Sequence, residues 1–201
     1  MLYSLFKFAL FVICKVLFRL KVKGLENLPR SGAVVIAANH SSFLDPVTLA
    51  VAVPRQVVFL VMKPVYNFWP LAWFFRIMPC IPLNGALNRA VDALKKGAVV
   101  GVFPEGGRSE DGRLKNAKLG AARLAMLSGA PILPVGICGA YEAYPPHRLL
   151  PRPRQIEVRI GSPIVLPQVS GEIDMAQEKE AYSHTKLIME KIEELMGRRV
   201  L

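Results

Sequence analysis

Cysteine is scarce in this chain of 201 residues: Cys14, Cys80 and Cys138 are far apart and odd in number. With no C-x-x-C pair, neither a disulfide framework nor a thiolate zinc site is indicated, and cytosolic exposure is the expectation. Histidine is equally scarce. His40, His147 and His184 stand at no close metal-ligand spacing, so no metal is expected. Carboxylates are few, 15 against 26 lysines and arginines, which leaves a net charge of +11. Internal repeats, low-complexity linkers and the G-x-S-x-G elbow of a hydrolase nucleophile are all missing. What the chain has in plenty is apolar character, with 52% hydrophobic residues and a mean hydropathy of +0.33. Apolar and basic together point to an anionic membrane surface rather than to nucleic acid. A nucleic-acid binder would show a basic patch on a polar domain, or a recognition module, and neither is present.

The first twenty residues, MLYSLFKFALFVICKVLFRL, hold only four polar side chains, Ser4, Lys7, Lys15 and Arg19. On a helix these fall within roughly 120° of arc, interrupted by Phe8, Phe11 and Phe18. No A-x-A-like cleavage site follows, and three cations are unusual for a clean span. Residues 1–21 therefore predict a membrane-associated helix lying in or dipping into the interface, its cations reaching the headgroups. A tilted single span and a helix packed on the core are the other two readings.

Residues 22–201 alternate short apolar runs with helical segments. Strands are expected at 33–39, 56–62, 80–83, 98–103, 131–137 and 156–160, and helices near 46–53, 66–77, 86–96, 116–128 and 174–196. Several strands are continuously apolar, as in sheets covered on both faces. The expectation is one α/β domain with a central, largely parallel or mixed sheet flanked by helices. The stretch 66–78, with six aromatics, suits either core packing or a membrane interface. The segment 141–155, rich in proline and arginine, predicts a surface loop.

Two strand ends carry the chemistry, as α/β proteins usually arrange it. The first delivers Asn39-His40, with Asp45-Pro46 five residues on. Asp45 reads either as a helix N-cap before proline or as the carboxylate that orients a histidine base. The second is FPEGGRS, residues 103–109. Gly106 and Gly107 allow a tight turn close to a ligand, while Arg108 and Lys118 suit a phosphate. Glu105 could bind a substrate hydroxyl or satisfy an arginine.

Taken together, these stretches resemble the glycerolipid acyltransferase family. Its N-H-x4-D motif is met by Asn39, His40 and Asp45, and its F-P-E-G-x-R-S motif by residues 103–109, with the departure that Gly107 stands where the family usually has a small hydroxyl residue. Ala117 to Ala121 stand for the family's F-K-x-G-A, and Leu133-Pro134-Val135 for its late strand. The resemblance covers about residues 22–165. It implies direct acyl transfer, from acyl-CoA or acyl carrier protein as the donor substrate, to a lysophospholipid hydroxyl, with no cofactor. In this reading His40 is the base, oriented by Asp45. Arg108, Lys118 and Arg89 position a phosphate, and Glu105 the glycerol hydroxyls. Work at the cytoplasmic face of the membrane follows, peripheral or single-pass. One departure bears on the acceptor: where the family's second motif has a phosphate-holding arginine, this chain has Asn84, with Arg89 five residues on. Another lysolipid or an aminolipid as acceptor, a lysolipid or thioester hydrolase, and a non-catalytic lipid binder remain the alternatives.

Overall fold

The computed structural model describes residues 2–61, 79–82 and 85–197. The expected aromatic helix at 66–77 and Asn84 lie outside these residues. Seven strands form one mixed sheet: β1 (Lys21–Lys23), β2 (Val34–Ala38), β3 (Val57–Val61), β4 (Cys80–Pro82), β5 (Val99–Val102), β6 (Ile132–Cys138) and β7 (Glu157–Ile160). Their order is β1-β7-β6-β2-β5-β3-β4. From β6 to β4 all neighbours are parallel. At the other side β7 pairs antiparallel with β6 and parallel with β1.

The central strand β2 is buried along its whole length. Successive side chains point to opposite faces. Val34, Ile36 and Ala38 accordingly join one core cluster, with α1 (Leu2–Leu17) and α2 (Leu44–Ala52). Val35 and Ala37 join the other, with α3 (Ala86–Lys95), α4 (Gly120–Ser128) and α6 (Met175–Leu195). A single turn, α5 (Ala140–Ala143), follows β6. Helix α6 opens on a capping box, Asp174 and Gln177 each accepting the other's backbone N–H.

Helix α1 packs on the core through Phe6, Leu10 and Cys14, at successive four-residue steps, and Phe18 just after the helix joins them. Its Lys7 departs from the expected headgroup-facing role. The ammonium donates to the C=O groups of Val53 (2.6 Å) and Arg55 (3.3 Å), at the C-terminus of α2. There the orphan carbonyls and the helix dipole both favour a cation, and burial pulls the Lys7 pKa down. Leu5, Phe8, Val12 and Val16 fall within about 80° of helical arc and are exposed. Among the described residues, no helix is long and apolar enough to cross a membrane. With 16 residues, α1 rises about 24 Å, short of a hydrocarbon core of about 30 Å.

Candidate active site

Where β2 ends, the Asn39 side chain continues the ladder in place of a peptide group. Its Nδ2 donates to the Ile137 C=O (3.0 Å), and its Oδ1 accepts the Ile137 N–H (2.7 Å). This fixes the point at which the chain leaves the sheet, and His40 comes next. The His40 peptide is held by the loop after β5: its N–H donates to Glu105 Oε1 (2.7 Å), and its C=O accepts from Ser109 N–H (2.8 Å). One ring face stacks on Phe103, with centroids 4.2 Å apart.

The ring edge meets Asp45, Nδ1 lying 2.9 Å from Oδ2. That same oxygen accepts the N–H groups of Ser41 (2.6 Å) and Ser42 (2.7 Å). Asp45 is wholly buried, whereas the His40 side chain keeps 18% of its surface open. A carboxylate only accepts, so the network assigns the proton to Nδ1 and leaves the Nε2 lone pair free. This is the arrangement a general base needs.

The capping role expected of Asp45 takes a different form. The N-cap is Phe43, and Asp45 is the second residue of α2. Its carboxylate reaches back to the amides of the turn before the helix, as the acidic partner of a capping box does. Pro46 then falls in the first turn, where no N–H is needed.

The second loop turns at Gly106, with φ of 69°, and its N–H closes on the Phe103 C=O at 3.0 Å. A Cβ at position 106 would lie 2.8 Å from Lys118 Cε and 3.0 Å from Nζ, so the missing side chain is what lets Lys118 cross the loop. Two residues on from Gly106, Arg108 lays its guanidinium on the Phe43 ring, 3.4 Å from the centroid. Its Nη1 is buried without an acceptor among the described residues, and desolvation lowers its pKa. The two loops thus form a His-Asp pair beside two cations at the carboxyl edge of a parallel sheet.

The Acyltransferase family model matches residues 19–138, a stretch that contains both loops. The chain belongs to the acyltransferase family. It is 34% identical over 137 residues to a chloroplastic 1-acyl-sn-glycerol-3-phosphate acyltransferase of Arabidopsis thaliana, an alignment covering 64% of this chain and 38% of the relative. The chain thus spans about two fifths of the length of that plant protein and of a Brassica napus one at 40%. A Bacillus subtilis 1-acyl-sn-glycerol-3-phosphate acyltransferase is 32% identical over 165 residues, 78% of this chain and 79% of the relative. The crystal structure of the 1-acyl-sn-glycerophosphate acyltransferase PlsC from Thermotoga maritima superposes with a TM-score of 0.74 at 26% identity. That match covers 98% of this chain and 82% of the other.

Not every residue expected at the site takes the expected position. Both Glu105 oxygens accept backbone amides, Oε1 from His40 and Oε2 from Lys115 (2.9 Å). The side chain is 4% exposed, and burial pushes its pKa up. Geometry therefore gives it the work of a brace between the loops. Gly107 borders open space, with nothing within 4 Å of where a Cβ would sit. Arg89 is on α3 and donates Nη2 to the Pro82 C=O at 2.7 Å. That places it at the same sheet edge as His40, but β4 is three strand spacings, about 14 Å, from β2.

Sequence reasoning also missed Phe103 as the ring beneath His40, the two serine amides on Asp45, and Lys115. The phenylalanine had a signal, since a residue at a strand end beside a histidine-bearing strand faces the same edge. The amides had none, because backbone donors carry no sequence signature. A cavity of about 690 Å³ between α3, α4 and the chain before α6 includes none of these residues.

Proposed function

We propose that this acyltransferase moves a fatty acyl group from an acyl thioester to the free hydroxyl of 1-acyl-sn-glycerol-3-phosphate, giving phosphatidic acid for phospholipid synthesis. The observation that carries the reading is the 2.9 Å contact between His40 Nδ1 and the buried Asp45 Oδ2, which turns the other ring nitrogen, Nε2, away from the carboxylate. Nε2 takes the hydroxyl proton as the acceptor oxygen attacks the thioester carbonyl. Asp45 stabilises the imidazolium, the C–S bond breaks, and the proton passes to the departing thiolate. No enzyme nucleophile is needed. A base of this kind supplies about 10²–10⁴-fold, and positioning must supply the rest.

Arg108 and Lys118 are the natural phosphate holders. A buried guanidinium donor without an acceptor costs about 1–3 kcal/mol, and a bound phosphate removes that cost. The donor is acyl-CoA or acyl carrier protein. The outward row Leu5, Phe8, Val12 and Val16 of α1 would rest on the cytoplasmic face of an anionic membrane, bringing the site to its lipid substrate.

The experiment is thioester consumption by purified protein against a panel of acceptors. Consumption that depends on 1-acyl-sn-glycerol-3-phosphate, with phosphatidic acid as product, is the expected result. Thioester loss without any acceptor would make it a hydrolase, and no loss with any acceptor would leave a lipid binder. Equal use of phosphate-free lysolipids or aminolipids would overturn the phosphate assignment.

A further inference from the structure

The segment after α5 is a second feature on the site's side of the sheet. Leu149 and Leu150 are 93% and 76% exposed, among the most open apolar side chains described. They sit in PPHRLLPRPR, residues 145–154, which carries Arg148, Arg152 and Arg154. From 143 to 156 the chain has no carboxylate. Arg152 and Arg154 are exposed, and so are the prolines between and before them, Pro151 and Pro153.

This loop is held in place. Arg152 N–H donates to the Ala143 C=O (2.7 Å) and Arg148 N–H to the Pro145 C=O (3.1 Å). The Tyr144 hydroxyl donates to the Leu149 C=O at 3.2 Å. Tyr144 also connects the loop to the site. Its C=O accepts the Ser42 hydroxyl (2.7 Å), and its ring is 5.9 Å from that of Phe43, the ring beneath Arg108. At its other end the loop meets the residue that follows α1, where Ile156 N–H donates to the Phe18 C=O at 2.9 Å.

We propose that the 147–154 loop is a membrane-docking element, separate from α1, in which Leu149 and Leu150 insert into an anionic bilayer while Arg148, Arg152 and Arg154 bind its headgroups. It rests on the proposed function in one respect, that the acceptor is a lipid which must enter at this edge. Two leucines largely open to water gain from hydrocarbon, and arginines placed around them gain from anionic headgroups. A bilayer interface offers both within a few ångströms. An acidic carrier protein would complement the arginines and leave the leucines in water. Proline and the loop's own hydrogen bonds restrict its conformations beforehand, which lowers the entropic cost of docking.

The test measures binding of the full chain to vesicles of equimolar phosphatidylglycerol and phosphatidylcholine, and to vesicles of phosphatidylcholine alone. Leu149→Ser/Leu150→Ser should weaken binding to both by about tenfold or more. Arg148→Gln/Arg152→Gln/Arg154→Gln should weaken binding to the anionic vesicles by about fivefold per arginine, and that loss should vanish in high salt. Both variants should keep wild-type turnover on short-chain, water-soluble donor and acceptor. Unchanged vesicle binding in both variants overturns the proposal, as does wild-type protein that binds neither vesicle. Lost affinity for acyl carrier protein with vesicle binding intact overturns it in favour of a protein partner. Loop-dependent vesicle binding by a protein that acylates no lysolipid would leave the docking surface standing and remove the proposed function.

Discussion

The carboxylate of Glu105 is bonded to the backbone of His40, Oε1 lying 2.7 Å from its N–H, while Oε2 takes the N–H of Lys115. One side chain from the loop after β5 therefore sets the height of the histidine that ends β2. Ser109 N–H on the His40 C=O completes the clamp. The base and the proposed phosphate site are thus one unit, and neither loop can shift without moving the other.

Glu105→Gln should lower kcat by about tenfold or more with little change in the acceptor's KM. One amide would then face an NH₂ group where it had an acceptor, and a hydrogen bond to a charged group is worth about 1.5–3 kcal/mol. If Glu105 instead held glycerol hydroxyls, the acceptor's KM would rise. Steady-state kinetics with the acceptor varied separates the two.

The same residue predicts a pH effect on stability. Burial raises the Glu105 pKa in the folded protein, whereas the unfolded chain titrates near the ordinary value of about 4.3. A raised carboxyl favours folding below the unfolded value, and the contribution is lost as pH rises through the folded one. Denaturant midpoints should therefore show wild type losing ground to Glu105→Gln as pH is raised from about 4 through the carboxylate range. A flat or opposite difference would refute it.

Adjacent glycines in the second loop should behave differently. Gly106→Ala faces both a φ of 69° and the Lys118 side chain, so it should destabilise by about 1 kcal/mol or more and raise the acceptor's KM. Gly107→Ser has open space and no positive φ, and it should leave stability and turnover near wild type. Thermal melts together with kinetics check both.

Arg108→Ala and Lys118→Ala should each raise the acceptor's KM about ten- to a hundredfold, with the thioester's KM nearly unchanged. Arg89 is the discriminating residue. A site about three strands away that still contributes would show a comparable rise in Arg89→Ala, extending the phosphate site along the sheet edge. No rise would confine it to Arg108 and Lys118.

Much of this was legible in the residues because the strands are continuous apolar runs with sharp ends. β2, expected at 33–39, spans Val34–Ala38, and β6, expected at 131–137, spans Ile132–Cys138. β1 was missed: Lys21–Lys23 is three residues long, and pairing with β7, not local preference, makes it a strand. Helix α4 begins at Gly120 rather than 116, and the stretch before it is tied instead to the second loop, Lys115 and Lys118 giving their N–H groups to Glu105 and Pro104. The His-Asp pair could be read from a five-residue offset, since it closes within one turn. The brace could not, because Glu105 and His40 are 65 positions apart and one partner is a backbone amide. Lys7 misled for a related reason: helical arc shows which side a cation faces, not that a neighbouring helix ends there.

The central claim is that His40 is the base. The direct measurement is initial-rate transfer to 1-acyl-sn-glycerol-3-phosphate by His40→Ala beside wild type, with circular dichroism to show that the fold is kept. Because the ring stands at the strand's end, partly open and stacked on Phe103 rather than inside either core cluster, the variant should fold. Its kcat should fall by about 10²–10⁴-fold. Turnover near the wild-type rate in folded His40→Ala would contradict the mechanism outright.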